Sequence, residues 1–456
     1  MCTIMENRLK IDKAFYKSML VIAVPVVLQN LMGIALNMLD SIMVGQLGEN
    51  PLAGVAIANR VFFIFSMVCF GIYSGSSIFI AQYWGVKDSK NIKKIFGMNL
   101  FLGLVLSLAT TIIAFVFARP IISLFAKDAE VIRDGVTYLK IITASYVVTA
   151  LSFAASFSSR PVHKVNAPTI VSLIAILTNA VLNYLLIFGK AGFPNLGVAG
   201  AAIATVIARV LEFIILFIYI FKSKDHPLAG SIKEYMSWDF KMLKDTLKTS
   251  FPVIVSESTW ALGNTVYYIA YGMIGPSAIA VVQVAYIIND LFQAMFFGVG
   301  NAAAVMLGNE IGQNNIKKAT DYSKIFLKIC LALNIIMTFA LFFARHAIIG
   351  MYKFDAQTNI LLERVLVVFA LYMTPKMFTY MFICGILRAG GDTKFCMYLD
   401  IAAIWLVGIP LAFFSVMVLR LPLEYVLAIV FSEEIFKLFI VLRRYKSGKW
   451  INNLIN

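Results

Sequence analysis

The stretch IALNMLDSIMVGQLG, Ile34 to Gly48, sets a single acid, Asp40, in an otherwise apolar run. A carboxylate that stays charged inside a membrane helix costs at least about 2.5–3.5 kcal/mol on insertion scales, so it must face a protein interior and be neutralised there. Desolvation favours the protonated form of such a group and a nearby cation favours the ionised form, so a proton and a metal cation can compete for it. The plain alternative is an acid near the outer end of its span that reaches water. Asn179 and Asn183, in ILTNAVLNYLLIFG, stand four apart and share one helix face. Two amide oxygens in line suit a hard cation, although polar residues in membrane helices also serve simply to bridge neighbouring helices. Thr205, in GAAIATV, would add a hydroxyl. Glu257, in FPVIVSESTW, is the corresponding anomaly in the second half; it stands a turn or two inside its span, from where it could also reach the interface.

The elements that must position these groups are membrane helices. Of 456 residues, 61% are hydrophobic and 14% charged, and the mean hydropathy is +0.85. No ordinary water-soluble surface tolerates that composition. A hydrocarbon core of about 30 Å takes about 20 apolar residues per helix. About twelve such segments are present, at 18–42, 54–81, 95–118, 137–158, 166–188, 198–221, 250–272, 278–306, 322–344, 362–386, 396–418 and 424–442. These runs are too long for barrel strands and lack their period-two alternation.

The net charge of +15 is mainly a topology signal. Lys and Arg crowd the amino terminus (Arg8, Lys10, Lys13, Lys17), the connections after the second, sixth and eighth spans, and the tail (Arg443, Arg444, Lys446, Lys449). The alternate connections are poorer, with no basic residue around 45–52 or 273–277, Lys190 near the fifth turn and Arg420 near the eleventh. By the positive-inside rule both termini are cytoplasmic, in an inner-membrane setting. Charges spread over several short loops do not form a nucleic-acid footprint. The first apolar run contains Pro25, Gln29 and Asn30 and is too long for a secretory signal, so it is expected to be retained. The five cysteines sit in or beside spans or at the cytoplasmic end, and His163, His226 and His346 are scattered, so neither a disulfide nor a Cys/His metal site is expected. Arg209 with Glu212, and Glu433 with Lys437, are spaced to neutralise each other on one helix. Arg60, Lys376 and Asp400 have no such neighbour and receive no role.

The chain is also duplicated. VIAVPVVLQNLMGIALNMLDSIMVGQLG overlies LKTSFPVIVSESTWALGNTVYYIAYGMIG, with Pro25 on Pro252, Asn37 on Asn264 and Gly48 on Gly275. The register runs on to Gly85 and Gly312, NIKK recurs at 315–318, FARP at 117–120 meets FARH, and Arg160 meets Arg388. Six spans per copy is an even number, so the expectation is an all-α protein of twelve transmembrane helices in two parallel six-helix bundles, related by a pseudo-two-fold axis along the membrane normal. The amino-terminal lobe covers 1–222, a cytoplasmic linker 223–247 and the carboxy-terminal lobe 248–456. Two matching lobes around one cavity suit alternating access, although channels and receptors are also built by duplication.

VPVVLQNLMGIALNMLDSIMVGQLG, GFPNLGVAGAAIATVIAR at 192–209, and the paired span ends AQYWG and GNEIG resemble the multidrug and toxic compound extrusion (MATE) family of cation-coupled exporters. The resemblance implies a secondary antiporter that exports amphipathic, cationic drugs or toxins in exchange for inward sodium or protons. It places the family's cation-site acid at Asp40 and its polar partners at Asn179, Asn183 and Thr205, with sodium or a proton as the coupling ion and no other cofactor. Some members carry a second acid where Asn183 stands; its absence leaves one fixed charge. Glu257 matches an acid that serves coupling or binds cationic drugs in some relatives. An acid of the tenth span is replaced here by Met377, beside Lys376. No Walker-type nucleotide-binding sequence is present. The expected partners are the lipid bilayer and small amphipathic organic substrates, for a monomer that is not an enzyme. The competing readings are a flippase for a lipid-linked precursor, and a channel or receptor without coupled transport.

Overall fold

A computed structural model describes residues 2–223, 226–352 and 354–455. Twelve long helices and short connections account for it, with no strand among the described residues. They are α1 (Cys2–Gly45), α2 (Glu49–Gly85), α3 (Ser89–Val116), α4 (Ala129–Ser159, with one 3₁₀ turn at Thr143–Ser145), α5 (Asn166–Phe188) and α6 (Gly197–Lys222). The second set is α7 (Phe240–Gly272), α8 (Pro276–Gly312), α9 (Ile316–Gly350), α10 (Ala356–Leu387), α11 (Thr393–Val418) and α12 (Leu423–Lys446).

Ten of these are long and apolar enough to cross a membrane. The other two, α7 and α12, are as long but carry Ser256, Glu257 and Asn264, and Glu424, Glu433, Glu434 and Lys437. These polar residues dilute the hydropathy, and the two helices are joined by a hydrogen bond from Tyr267 of α7 to Glu433 of α12. Large apolar side chains stay exposed along the other helices, among them Ile112, Leu177, Phe343 and Leu406. So much exposed hydrocarbon suits lipid and not water.

The chain forms two compact units, Val24–Leu247 and Met1–Ala23 with Lys248–Asn456. Helix α1 thus gives its first part to the second unit and its remainder, with Asp40, to the first. In the first unit α5 lies along α6 and α2 packs on α4, around buried Tyr73, Phe96 and Tyr146. In the second α10 packs on both α9 and α12, around Tyr271, Phe296 and Phe382. Gly48 and Gly275, aligned in the repeat, hold φ of 126° and 146° in the turns that start α2 and α8. Only glycine adopts such a backbone without strain, which explains why both copies carry it.

Within the first unit, part of the polar stretch 223–247 packs on α3. The short helix Ile232–Tyr235 opens with a capping box between Ser231 and Glu234. Its Tyr235 backbone occupies the space that a side chain at Gly97 of α3 would need. Lys93 of α3 pairs with Glu234 at 2.9 Å, and this ammonium, with the Ser231 amide, holds the Glu234 carboxyl down at about 2.

The second unit departs from plain α-helix at Met381–Leu387 in α10 and at Ala402–Gly408 and Phe414–Val418 in α11, all wound as π-helix. Wider π turns are uncommon and concentrate where helices carry function. Here they flank Arg388 and Asp400.

Candidate cation site and the charged cluster of the second unit

Asp40, Asn183, Asn179 and Thr205 come together from α1, α5 and α6 in one hydrogen-bonded chain. Asn183 donates its amide to Asp40 Oδ1 at 2.5 Å and to Asn179 Oδ1 at 3.1 Å. Asn179 in turn donates to Thr205 Oγ1 at 3.1 Å, and Thr205 donates to the Ala201 carbonyl at 3.0 Å. The two asparagines are 2% and 1% exposed, so the four-residue spacing has put both inside. Asp40 and Thr205 are half-buried. The Asn183 bond to the acid comes from a neutral group, and turning that amide would point an oxygen where N–H now points. A small cation could then find one carboxylate and several neutral oxygens, the donor set that hard ions take. Among the described residues no three His, Cys, Asp or Glu side chains cluster as a metal site.

Sequence reasoning left several neighbours unnamed. Buried Tyr138 of α4 lies near Thr205, Asn59 and Asp40. Arg209 also acts on Asp40 electrostatically. As its spacing indicated, Arg209 pairs with Glu212 at 2.8 Å, and Ser172 donates to that carboxylate at 2.8 Å. Nothing in the sequence around Tyr138 marks it out; α4 must be folded against α6 before the phenol meets the site.

Glu257 belongs to the second unit, where Arg388 holds it at 2.7 Å. One residue earlier, Ser256 donates to Asp400. In α12, Lys437 pairs with Glu434 at 2.9 Å and more loosely with Glu433 at 3.9 Å, so the closer partner is three and not four residues away. Glu433 also accepts from the Tyr267 hydroxyl at 2.5 Å. Tyr267 stands in the repeat register of Asp40, at the same 227-residue offset as Pro252 from Pro25. Lys376 donates to Asn289 Oδ1 at 3.0 Å.

These features define a duplicated, multi-pass helical membrane protein with an intramembrane acid in a polar network. The MatE family model matches residues 25–185 and again 252–414. The chain belongs to the MatE family, and the double match repeats the duplication seen in the sequence. The probable multidrug resistance protein YoeA of Bacillus subtilis is 25% identical over 407 residues, 89% of this chain and 88% of that protein. The probable multidrug resistance protein NorM of Thermotoga maritima is 23% identical over 438 residues, 95% of this chain and 93% of that protein. Among solved structures, MATE in complex with MaL6 matches with a TM-score of 0.87 at 18% identity, covering 95% of this chain and 97% of that one. MATE in the straight conformation matches with a TM-score of 0.86 at 19% identity, over 95% and 96%. The fold is that of these transporters, with two lobes of membrane helices.

Proposed function

We propose that the protein is a secondary antiporter that exports amphipathic, cationic organic compounds in exchange for sodium ions or protons moving inward. The observation that supports this reading is the chain Asp40–Asn183–Asn179–Thr205, which ties α1, α5 and α6 to the state of one carboxylate. A proton or sodium on Asp40 weakens the carboxylate as acceptor for the Asn183 amide, and a turn of that amide would carry the change through Asn179 and Thr205 to the other helices. The cycle needs only that the loaded and unloaded networks favour different helix arrangements, because coupling is differential affinity between states. Helix α1 has a built-in place to bend. Pro25 lies inside it and cannot donate to the helical ladder. Thr169 of α5 donates to the Pro25 carbonyl at 3.5 Å. Solved MATE relatives exist in bent and in straight conformations, and the relatives named above are termed multidrug resistance proteins.

On this reading the chain sits in the cell's inner membrane with both termini cytoplasmic and works as a monomer without a nucleotide or organic cofactor. Single cysteines placed at the exposed positions Asn195 and Asp239 should label from outside and from the cytoplasm respectively. Labelling of both from one side overturns the topology. The function is tested by dye efflux from vesicles holding purified protein under imposed sodium and pH gradients. Uphill efflux with at least one gradient is expected; movement only down the dye's own gradient would make the protein a channel.

A further inference from the structure

Helices α5 and α6 are joined by two rungs in one antiparallel register. Asn179 donates to Thr205 at 3.1 Å and, seven residues back on α5 and seven forward on α6, Ser172 donates to Glu212 at 2.8 Å. Seven residues are about two helical turns, or about 10 Å along the axis. The first rung is part of the Asp40 network and the second lies beyond it. Arg209 stands between them on α6, four residues past Thr205 and three before Glu212, and gives its ion pair to Glu212 at 2.8 Å. Glu212 is 5% exposed, and both of its oxygens are engaged, Oε1 by Ser172 and Oε2 by Arg209. The arginine is nonetheless close enough for its charge to act on Asp40. It can also turn back toward the Thr205 turn, since Cα–Cβ bonds in a helix tilt toward the N-terminus. A guanidinium offers five donors in a fork that matches a carboxylate, so Asp40 is a partner it could take. The charge count shows what Glu212 changes. Asp40, Arg209 and Glu212 together carry one net negative charge, which one monovalent cation at Asp40 balances. Without Glu212, Arg209 and Asp40 balance each other, and no charge is left to attract an ion from solution.

We propose that Glu212 is a positioning residue of the cation site: it holds Arg209 away from Asp40 and so keeps that carboxylate open to one monovalent cation. Ser172 fixes the Glu212 carboxylate from the facing helix, and the acid acts through the arginine without touching the ion. This deepens the proposed function, since it rests on Asp40 as the acid that takes the cation; it does not depend on export itself.

The test is equilibrium binding of radioactive sodium to the purified full-length protein at mildly alkaline pH. Glu212→Gln keeps the side chain's shape and frees Arg209, and should weaken sodium binding about tenfold or more. Adding Arg209→Met to that variant should bring binding back to within about threefold of the wild type. Arg209→Met alone breaks the same ion pair yet should bind sodium at least as tightly as the wild type, whereas a bond needed only for packing would lose binding in either single variant. Thermal unfolding of each variant checks the fold, and where Glu212→Gln does not fold, Arg209→Met alone decides. Weakened binding in Arg209→Met, unchanged binding in Glu212→Gln, or no sodium binding by the wild type overturns the positioning role. Ethidium export by vesicles under a sodium gradient is followed in parallel. Its absence from the wild type alongside the expected binding pattern overturns the export reading and supports the role of Glu212.

Discussion

At the register position where the first unit carries Asp40, the second carries Tyr267, and the acid that meets it there is Glu433 from α12. The difference extends to every neighbour. In the first unit the carboxylate takes a hydrogen bond from an amide that can turn either end toward it, and the nearby Arg209 is already engaged with Glu212. In the second unit three acids are tied to fixed cations, Glu257 to Arg388 and Glu434 and Glu433 to Lys437, while Asp400 accepts from the Ser256 hydroxyl. An ion from solution can compete for the first kind of acid. The second kind gives up a buried partner if it accepts one, and leaving a charge unpaired inside a protein costs several kcal/mol. On the proposed function, one duplicated architecture is put to two uses: a loadable acid in one lobe and a cluster of internally paired charges in the other.

The comparison breaks most sharply at Asp40. Asp40→Asn keeps the shape and removes the charge, so uphill export should fall to background while the protein still inserts. Transport by vesicles at matched protein content reads this out, and full activity would remove Asp40 from the coupling role. In the second unit the large effect should instead be on stability. Lys437→Met strands Glu433 and Glu434, and a loss of about 3–5 kcal/mol is expected, read as a lowered unfolding temperature in detergent. An unchanged unfolding temperature would mean that the cluster is not held together by its charges.

A smaller effect sharpens the same contrast. Asn183→Ala or Asn179→Ala removes a neutral partner and should raise the cation concentration needed for half-maximal export about tenfold, equivalent to about 1.4 kcal/mol. Protons and sodium would compete for one group, so the sodium needed should also rise as pH falls. The smallest effect is expected at Glu257→Gln, which should shift the half-maximal cation concentration less than about threefold. A shift as large as that of the asparagine variants would give the second unit a coupling site of its own.

How far the sequence revealed this follows from distance along the chain. Asp40 stood out because nothing else in its run is charged, and Asn179 with Asn183 because four residues make one helix face. Thr205 offers a hydroxyl by type, and only the family resemblance places it beside Asn179, since α5 and α6 must fold together before the two meet. The second unit was harder to read. Glu257 and Arg388 are 131 residues apart and Ser256 and Asp400 are 144 apart, so no local spacing marks these bonds. Lys376 and Asp400 consequently had no assigned partner until helices α7, α8, α10 and α11 were placed. The π-helical turns were equally hidden, because MFICGIL and AAIWLVG have the composition of ordinary membrane helix.

If only the first unit exchanges a cation, a monovalent cationic drug leaves as one monovalent ion enters. Under about 100 mV and one pH unit, an entering proton releases about 2.3 kcal/mol from the voltage and about 1.4 kcal/mol from the pH difference. For a one-for-one exchange of like charges the voltage contribution cancels and about tenfold accumulation remains. Transport of such a drug by vesicles of purified protein, with the membrane potential set independently of the sodium and pH gradients, measures this directly. Uphill transport is expected at zero potential whenever an ion gradient is present, and none from potential alone. Accumulation driven by potential alone, with no sodium or pH gradient, would contradict it and require a second acid, Glu257 first, to carry another ion.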